Sequence, residues 1–372
     1  MKITRIETIP VNVPIEQRRA TRGALGAHTE SPFLLVRVPT DEGLVGLGEV
    51  SCTPRWSGED QVTAAHFIRT VLEPALVGHD PRAVETLPAL FRRALAANPF
   101  TKAGLEMACW DLLGKAAGLP VYRLLGGPVR EFVPTKYSVS GLEPPRAAEI
   151  AAWAVEQGFR VMKVKVGIEP EGDVARVRAV REAVGWDVKL GVDANGGWTP
   201  RVAIQTIHRL MEFGIAFAEQ PVAPLDVSWM ADVRANVAVP VMADESVSTP
   251  QDAMALIRAG AADVLSVYVG KGGGIGPARK VAAIAEGAGL TCTVGSNLEL
   301  GVANAAMIHL AMATPGIGAD EFPCDILSPF FYEDDVLAEP LPIQAGQARP
   351  FERPGLGVEL DPDKVQRYRV EV

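Results

Sequence analysis

Five charged residues recur along the chain at nearly even spacing: Lys165, Asp193, Glu219, Asp244 and Lys271. Successive members lie 28, 26, 25 and 27 residues apart, about one strand-helix unit each time. Each closes a short apolar run. Barrel enzymes carry their chemistry at the C-terminal ends of their strands, one or two residues per strand. Any one of the five could be a solvated turn residue, but five in phase predict a shared site. Asp193, Glu219 and Asp244 would then meet at the barrel mouth, where three unpaired carboxylates cannot all stay ionised without large pKa shifts. A hard divalent cation resolves that repulsion, and an all-oxygen set favours Mg²⁺ or Mn²⁺ over zinc. Asn195, two residues past Asp193 on the same face of an extended chain, would support a ligand or hold a water. Glu245, next to Asp244, should point the other way and make a structural ion pair.

The run Val161-Met162-Lys163-Val164-Lys165-Val166 alternates strictly. Lys163 and Lys165 therefore share one face, and the apolar residues pack outward. Two inward lysines imply either a structural ion-pair network with the carboxylates or a function. On the functional reading, a neighbouring ammonium and a metal lower the pKa of Lys165 toward neutrality, so that it can act as a base. Lys271, four strands later, faces it from the other side. Such a pair offers an acid and a base on opposite faces of a planar intermediate.

The elements that must position these residues can be read from residue 134 onward. Candidate strands span 135–138, 161–166, 190–194, 216–219, 239–243, 264–269, 291–295 and 317–321. Between them Val174, Val177, Val180 and Val184, then Ile204, Ile207 and Met211, recur at helical spacing. Thr199-Pro200 and Thr249-Pro250 match an N-cap followed by proline in the first helical position. Eight strands alternating with helices predict a (β/α) barrel, with an open doubly wound sheet as the alternative. The first ~130 residues predict an α+β unit, with strands over 3–13, 33–38 and 44–50 and helices over 61–76, 81–95 and 103–117. Residues 18–30 and 51–59 are expected to be mobile loops. The tail from Asp325 has no further strand-helix unit and should pack back on the first domain.

Composition narrows the rest. The chain has 372 residues, 48% hydrophobic and 22% charged, with a formal net charge of -9. That is ample for a large core and argues against a nucleic-acid surface. Cys52, Cys109, Cys292 and Cys324 form no C-x-x-C pair, which speaks against zinc and disulfides and for a reducing compartment. Met1 to Arg5 lack a signal-peptide pattern, and no run approaches the ~18 apolar residues of a membrane span. The expectation is a cytoplasmic protein.

The set Lys163-Val164-Lys165, Gly191-Val192-Asp193-Ala194-Asn195, Glu219-Gln220-Pro221, Ala243-Asp244-Glu245-Ser246 and Lys271-Gly272-Gly273-Gly274 resembles the enolase superfamily, in particular its muconate lactonizing enzyme (muconate cycloisomerase) subgroup. Trp110 to Lys115, Leu124 to Gly127 and Pro354 to Gly357 are similar to that family's capping domain, so the resemblance covers nearly the whole chain. It implies a modified TIM barrel, (β/α)7β, with an N-terminal α+β capping domain: a cap over 1–130, a catalytic barrel over 131–322, and a C-terminal segment over 323–372. It implies Asp193, Glu219 and Asp244 as ligands of Mg²⁺ (or Mn²⁺) and Lys165 and Lys271 as the acid/base pair. Lys163 would tune Lys165 and touch the substrate carboxylate. Glu299 resembles a family carboxylate beside this pair, or is simply a loop residue. Mandelate racemase-type relatives use a late-strand histidine, but this chain has none between His208 and His309. It also implies a homo-oligomer, dimer or octamer.

Two positions depart from the family pattern. Tyr268 stands where a lysine is frequent, three residues before Lys271. The stretch Asp320 to Asp325 lacks the Asp-x-Asp of dipeptide epimerases. The shared chemical step removes or delivers a proton next to a carboxylate, building charge that a cation and ammonium groups stabilise. Cycloisomerisation is the first expectation. Racemisation or epimerisation of N-acyl amino acids, proline-type acids or dipeptides, and dehydration of hydroxyacids or acid sugars, are the alternatives. A barrel that binds a carboxylate without turnover stands last. Arg18, Arg19, Arg22, His28, Arg55 and Trp56 are candidate specificity residues, the arginines for a second carboxylate or merely as solvated charge.

Overall fold

The computed structural model describes residues 1–16, 21–24, 26–28 and 30–372. Its N-terminal part is an antiparallel sheet of Glu7–Pro14, Glu30–Pro39 and Val45–Ser51, with Glu30–Pro39 in the middle. The long helix Pro99–Ala117 lies across the last strand. The approach needs glycine: a Cβ on Gly48 would sit 1.8 Å from the Gly104 carbonyl oxygen, and one on Gly46 would sit 2.2 Å from that of Ala108. The helical stretch expected over 61–76 is present, with a π-helical turn at Ile68–Leu72. That expected over 81–95 is reduced to Val84–Thr86 and Leu87–Ala94.

The barrel consists of seven parallel strands in sequential order: Tyr137–Val139, Val161–Lys165, Lys189–Asp193, Ile215–Glu219, Val241–Ala243, Val264–Val267 and Thr291–Val294. Helices alternate with them, and both threonine caps form as expected. Thr199 accepts from Val202 N, and Thr249 makes a full capping box with Asp252. The eighth strand expected over 317–321 does not form. Its place is taken by two single parallel bridges, Cys292 with Ile317 and Thr135 with Cys324, which together link the last strand to the first. Pro315, Gly316, Gly318 and Pro323 explain the interruption, since proline cannot donate to a ladder and glycine weakens a strand.

Buried carboxylates join the N-terminal part to barrel helices. Glu49 accepts from Leu300 N and Ala303 N at the start of Gly301–Ala313, and Glu106 accepts from Ile275 N and Gly276 N at the start of Ile275–Gly287. Each meets donors that a helix leaves without internal partners. In the C-terminal part, Tyr332 and Arg369 bridge to Ile15 and Val11, and Gln347–Ala348 pairs with Val133–Pro134.

His309, on Gly301–Ala313, is fully buried and stacked on Tyr122. Tyr122 N donates to its Nδ1 at 3.3 Å, and its Nε2 lies 3.2 Å from the Leu356 carbonyl, a pattern that suits the neutral ring. Burial pushes its pKa down to about 4. The unfolded chain then binds the extra proton between about pH 6.5 and 4, so stability falls as pH drops through that window, at about 1.4 kcal/mol per unit. His309→Leu should flatten that limb, whatever it costs at neutral pH. Urea midpoints at pH 7 and pH 4.5 test this; equal slopes in both proteins would refute it.

Candidate active site

Lys163 and Lys165 do share one face, turned toward Asp193 on the neighbouring strand. Lys165 Nζ lies 2.6 Å from Asp193 Oδ2 and 2.9 Å from Asn195 Oδ1. Lys163 Nζ is ringed by carboxylates: Asp325 Oδ2 at 2.9 Å, Glu219 Oε2 at 3.0 Å and Asp193 Oδ2 at 3.4 Å. Asp244, just past its strand, accepts from Tyr268 Oη at 2.7 Å and is ion-paired to Lys271. The five residues read from the sequence therefore gather in one ion-paired site, buried except for Lys165. Lys271 is reached differently from expectation: the strand ends at Val267, and the one-turn helix Val269–Gly272 presents it.

Glu219 is the exception in this network. Lys163 is close to it but not along a hydrogen-bonding direction, so both of its oxygens are buried without a hydrogen-bond partner. Burial pushes its pKa upward despite Lys163, with Asp193 and Asp244 adding to the rise. Asp193 is held below the usual carboxylate range, because the two lysines outweigh its burial. Burial would drive Lys163 down, but Asp325, Glu219 and Asp193 outweigh it and hold its ammonium well above the ordinary lysine value. Among the described residues no three carboxylate, imidazole or thiol side chains are arranged closely enough to share a cation as they stand.

Two members of the network were not singled out in the sequence. Asp325 is clamped between Lys163 and the fully buried Lys136, 3.1 Å away. The signal for Lys136 was weak, a lone charge within the mixed strand segment Val133 to Val139. Asp325 had none, as it lies beyond the regular units. Glu245 corrects an expectation: it faces the site, accepting from Asn195 Nδ2 at 2.9 Å, and no ion pair of it is found among the described residues. Strand alternation does not extend to it, because Val241–Ala243 has already ended. Asn195 thus links Lys165 to Glu245.

Above the network lies a cavity of about 410 Å³. Lys163, Lys165, Asn195 and Asp325 line its floor, and Trp56, Tyr268, Leu298 and Phe331 form apolar walls. Parts of the segments expected to be irregular have regular structure among the described residues. Thr21–Gly23 and Gly26–His28 form a hairpin, and Pro54–Ser57 a helical turn. Gly23 sits so close to the floor that an added Cβ would be 3.2 Å from Asn195 Oδ1. Arg55 lines the cavity, whereas Arg22 is exposed and holds Ser140 and Gly141 through its backbone. Arg18 and Arg19 lie outside the described residues, as does the side chain of His28. Glu299 does not line the cavity. Its carboxylate accepts from Ser296 Oγ and Asn297 N and so braces its own loop.

Comparison with known proteins follows the same architecture. Residues 5–126 match the mandelate racemase / muconate lactonizing enzyme N-terminal domain, and residues 146–364 match the enolase C-terminal domain-like model. The chain is 34% identical to the N-succinyl-L-Arg/Lys racemase of Bacillus cereus, over 100% of this chain and 98% of that protein. It is also 34% identical to muconate cycloisomerase 1 of Rhodococcus opacus, over 99% and 98%. The crystal structure of a dipeptide epimerase from Enterococcus faecalis, complexed with Mg and the dipeptide L-Leu-L-Tyr, superposes with a TM-score of 0.91 at 34% identity, covering 96% of this chain and 99% of that one.

Proposed function

Since the chain belongs to the muconate lactonizing enzyme subgroup of the enolase superfamily and is an isomerase, we propose that it delivers or removes one proton next to a substrate carboxylate, as a cycloisomerase does. The observation that carries this reading is the asymmetry of the two lysines. Lys165 lines the cavity, whereas Lys271 is buried beside Asp244 and does not line it. One accessible acid/base group suffices for a one-faced proton transfer. Racemisation by two bases needs access to both faces.

The donor chemistry suits a divalent cation, which would have to draw the carboxylates closer than they stand. Glu219 offers two buried oxygens without hydrogen-bond partners, flanked by Asp193 at the end of one neighbouring strand and Asp244 just past the end of the other, an all-oxygen set suited to Mg²⁺ or Mn²⁺. Such a cation would act as a Lewis acid toward the substrate carboxylate. Lys163, held as an ammonium, attracts that carboxylate to the floor. Asp193 and Asn195 hold Lys165 so that its Nζ is positioned to carry the proton. Small-molecule carboxylates are the partners this site suits, and the cycloisomerised product of a dicarboxylate is one case. No helix among the described residues is long and apolar enough to cross a membrane.

A second reading, racemisation of N-acylated amino acids, has its own support. Asp325, on the cavity floor, shares its Oδ2 between Lys136 and Lys163 and keeps Oδ1 without a hydrogen-bond partner, but two ammonium groups already stand against its single charge, which disfavours adding a free ammonium. An acylated amine therefore suits the site better than the free amino group of a dipeptide. Arg55 at the rim would read a second carboxylate, whether of a muconate or of a carboxyacyl group.

Loss of cis,cis-muconate ultraviolet absorbance, followed with Mg²⁺ or Mn²⁺ and with chelator, tests the first reading. α-Proton exchange of N-acetyl and N-succinyl amino acids in D₂O tests the second. Absence of both activities in folded, metal-supplied protein would refute the shared proton-transfer step. Arg55→Ala should raise KM at least about tenfold for a dicarboxylate, the loss of one charge-assisted pair, and leave KM for a monocarboxylate within about twofold. Equal KM changes for both would remove Arg55 from substrate recognition.

A further inference from the structure

The side of the site occupied by Lys271 is closed by two stacked aromatic rings. Lys271 is 3% exposed, and its Nζ lies 4.2 Å from the centre of the Tyr268 ring. Tyr268 is 2% exposed, donates its hydroxyl to Asp244 Oδ2, and lines the cavity in place of Lys271. Trp56, from the helical turn Pro54–Ser57, lies on Tyr268 with ring centres 5.3 Å apart and planes 9° from parallel. Phe100 meets the edge of Trp56 at 5.8 Å.

Two of these three rings, Tyr268 and Phe100, have been given room by glycine. A Cβ on Gly295 would fall 2.0 Å from Tyr268 Cε1, and one on Gly270 would fall 2.5 Å from Phe100 Cε1. Glycine at these two positions is what lets the rings stand where they do. The phenol is thus fixed by its hydroxyl at one end, by the indole on one face, by an ammonium beside it and by a glycine at its edge.

We propose that Tyr268 is a positioning residue that covers Lys271 and makes proton transfer in this site one-sided. It rests on the proposed proton-transfer function and specifies which face of the substrate is served. A lysine at this position would line the cavity as Tyr268 does and offer its own ammonium to that face of the substrate. The tyrosine replaces that with an apolar screen, keeps a donor on Asp244, and lets Lys271 hold Asp244 instead of meeting substrate. Trp56 completes the screen from the N-terminal side.

Lysine labelling tests the cover without requiring a substrate. The Mg²⁺-supplied protein is treated with a small amine-acetylating reagent at mildly alkaline pH, and modification of individual lysines is read by mass spectrometry. Lys165 is the internal standard, because it too is ion-paired yet lines the cavity. In the wild type, Lys271 should label at least about tenfold more slowly than Lys165. Tyr268→Phe keeps the ring and should keep that protection. Tyr268→Ala should bring Lys271 to within about threefold of Lys165, and Trp56→Ala should give an intermediate rate if Tyr268→Ala fails to fold. Equal labelling of both lysines in the wild type would overturn the proposal, as would unchanged protection of Lys271 in folded Tyr268→Ala.

A second measurement reads the consequence. With N-acetyl amino acids in D₂O, wild-type exchange should favour one enantiomer by at least about tenfold, and Tyr268→Ala should narrow the ratio. Comparable exchange of both enantiomers by the wild type would refute one-sidedness and favour the racemase reading, while leaving the shared proton-transfer step standing. A protected Lys271 in a protein that shows neither exchange nor muconate turnover would sink the function, and with it the one-sided transfer.

Discussion

Replacing Lys165 by alanine should lower proton transfer by about 10²–10⁴-fold, the range a positioned general acid or base contributes. Lys165 is the acid/base candidate whose ammonium lines the cavity, and Asp193 and Asn195 fix its direction. Its loss removes the proton carrier but leaves Lys163 on the floor to receive the carboxylate, so kcat should fall far more than KM changes. Lys271→Ala gives the contrast. Beneath Tyr268 this lysine holds Asp244, so its loss should act through the carboxylate and cost at least about tenfold less in kcat than Lys165→Ala. The measurement is muconate turnover and α-proton exchange in both variants beside the wild type. Equal collapse in the two would mean that both lysines meet substrate, and would favour two-base racemisation. Full turnover in Lys165→Ala would remove it from the chemistry altogether.

The site was legible where physical rules are local. Strand alternation alone put Lys163 and Lys165 on one face, and the regular spacing of Asp193, Glu219 and Asp244 gave their shared position. Caps at Thr199 and Thr249 were equally local, a hydroxyl followed by proline. What escaped depended on contacts between distant segments. Lys136 and Asp325 meet only because residues 317–325 close the barrel by two bridges, and glycine and proline hide that segment from any strand pattern. Glu245 was misdirected because alternation was extended past the end of a three-residue strand. Trp56 and Tyr268 stack across the seam between the N-terminal sheet and the barrel, and nothing in either neighbourhood foretells the other. The departure at Tyr268 was visible in the sequence, but its meaning needed the ammonium beneath it and the indole above it.

Glu219→Gln should separate the two costs that this carboxylate carries. Its oxygens are buried without hydrogen bonds and surrounded by Asp193 and Asp244, a position that penalises charge unless a cation takes it up. The amide is neutral and nearly the same shape. With chelator present, the variant should therefore unfold at a denaturant midpoint no lower than the wild type, which is unusual for a change in a buried site. With Mg²⁺ at about a hundred times its Kd, the wild type should gain about 2.7 kcal/mol by mass action, and the variant little of it. Loss of a neighbour that merely orients a ligand costs about 10–100-fold in metal affinity, so loss of a ligand oxygen should cost at least as much. Urea titrations of both proteins, each with Mg²⁺ and with chelator, give all four midpoints. A parallel Mg²⁺-dependent rise in both would exclude Glu219 as a ligand. A destabilised variant in chelator would mean instead that Lys163 already compensates the charge, and that the network is held together as a set of ion pairs whether or not a cation joins it.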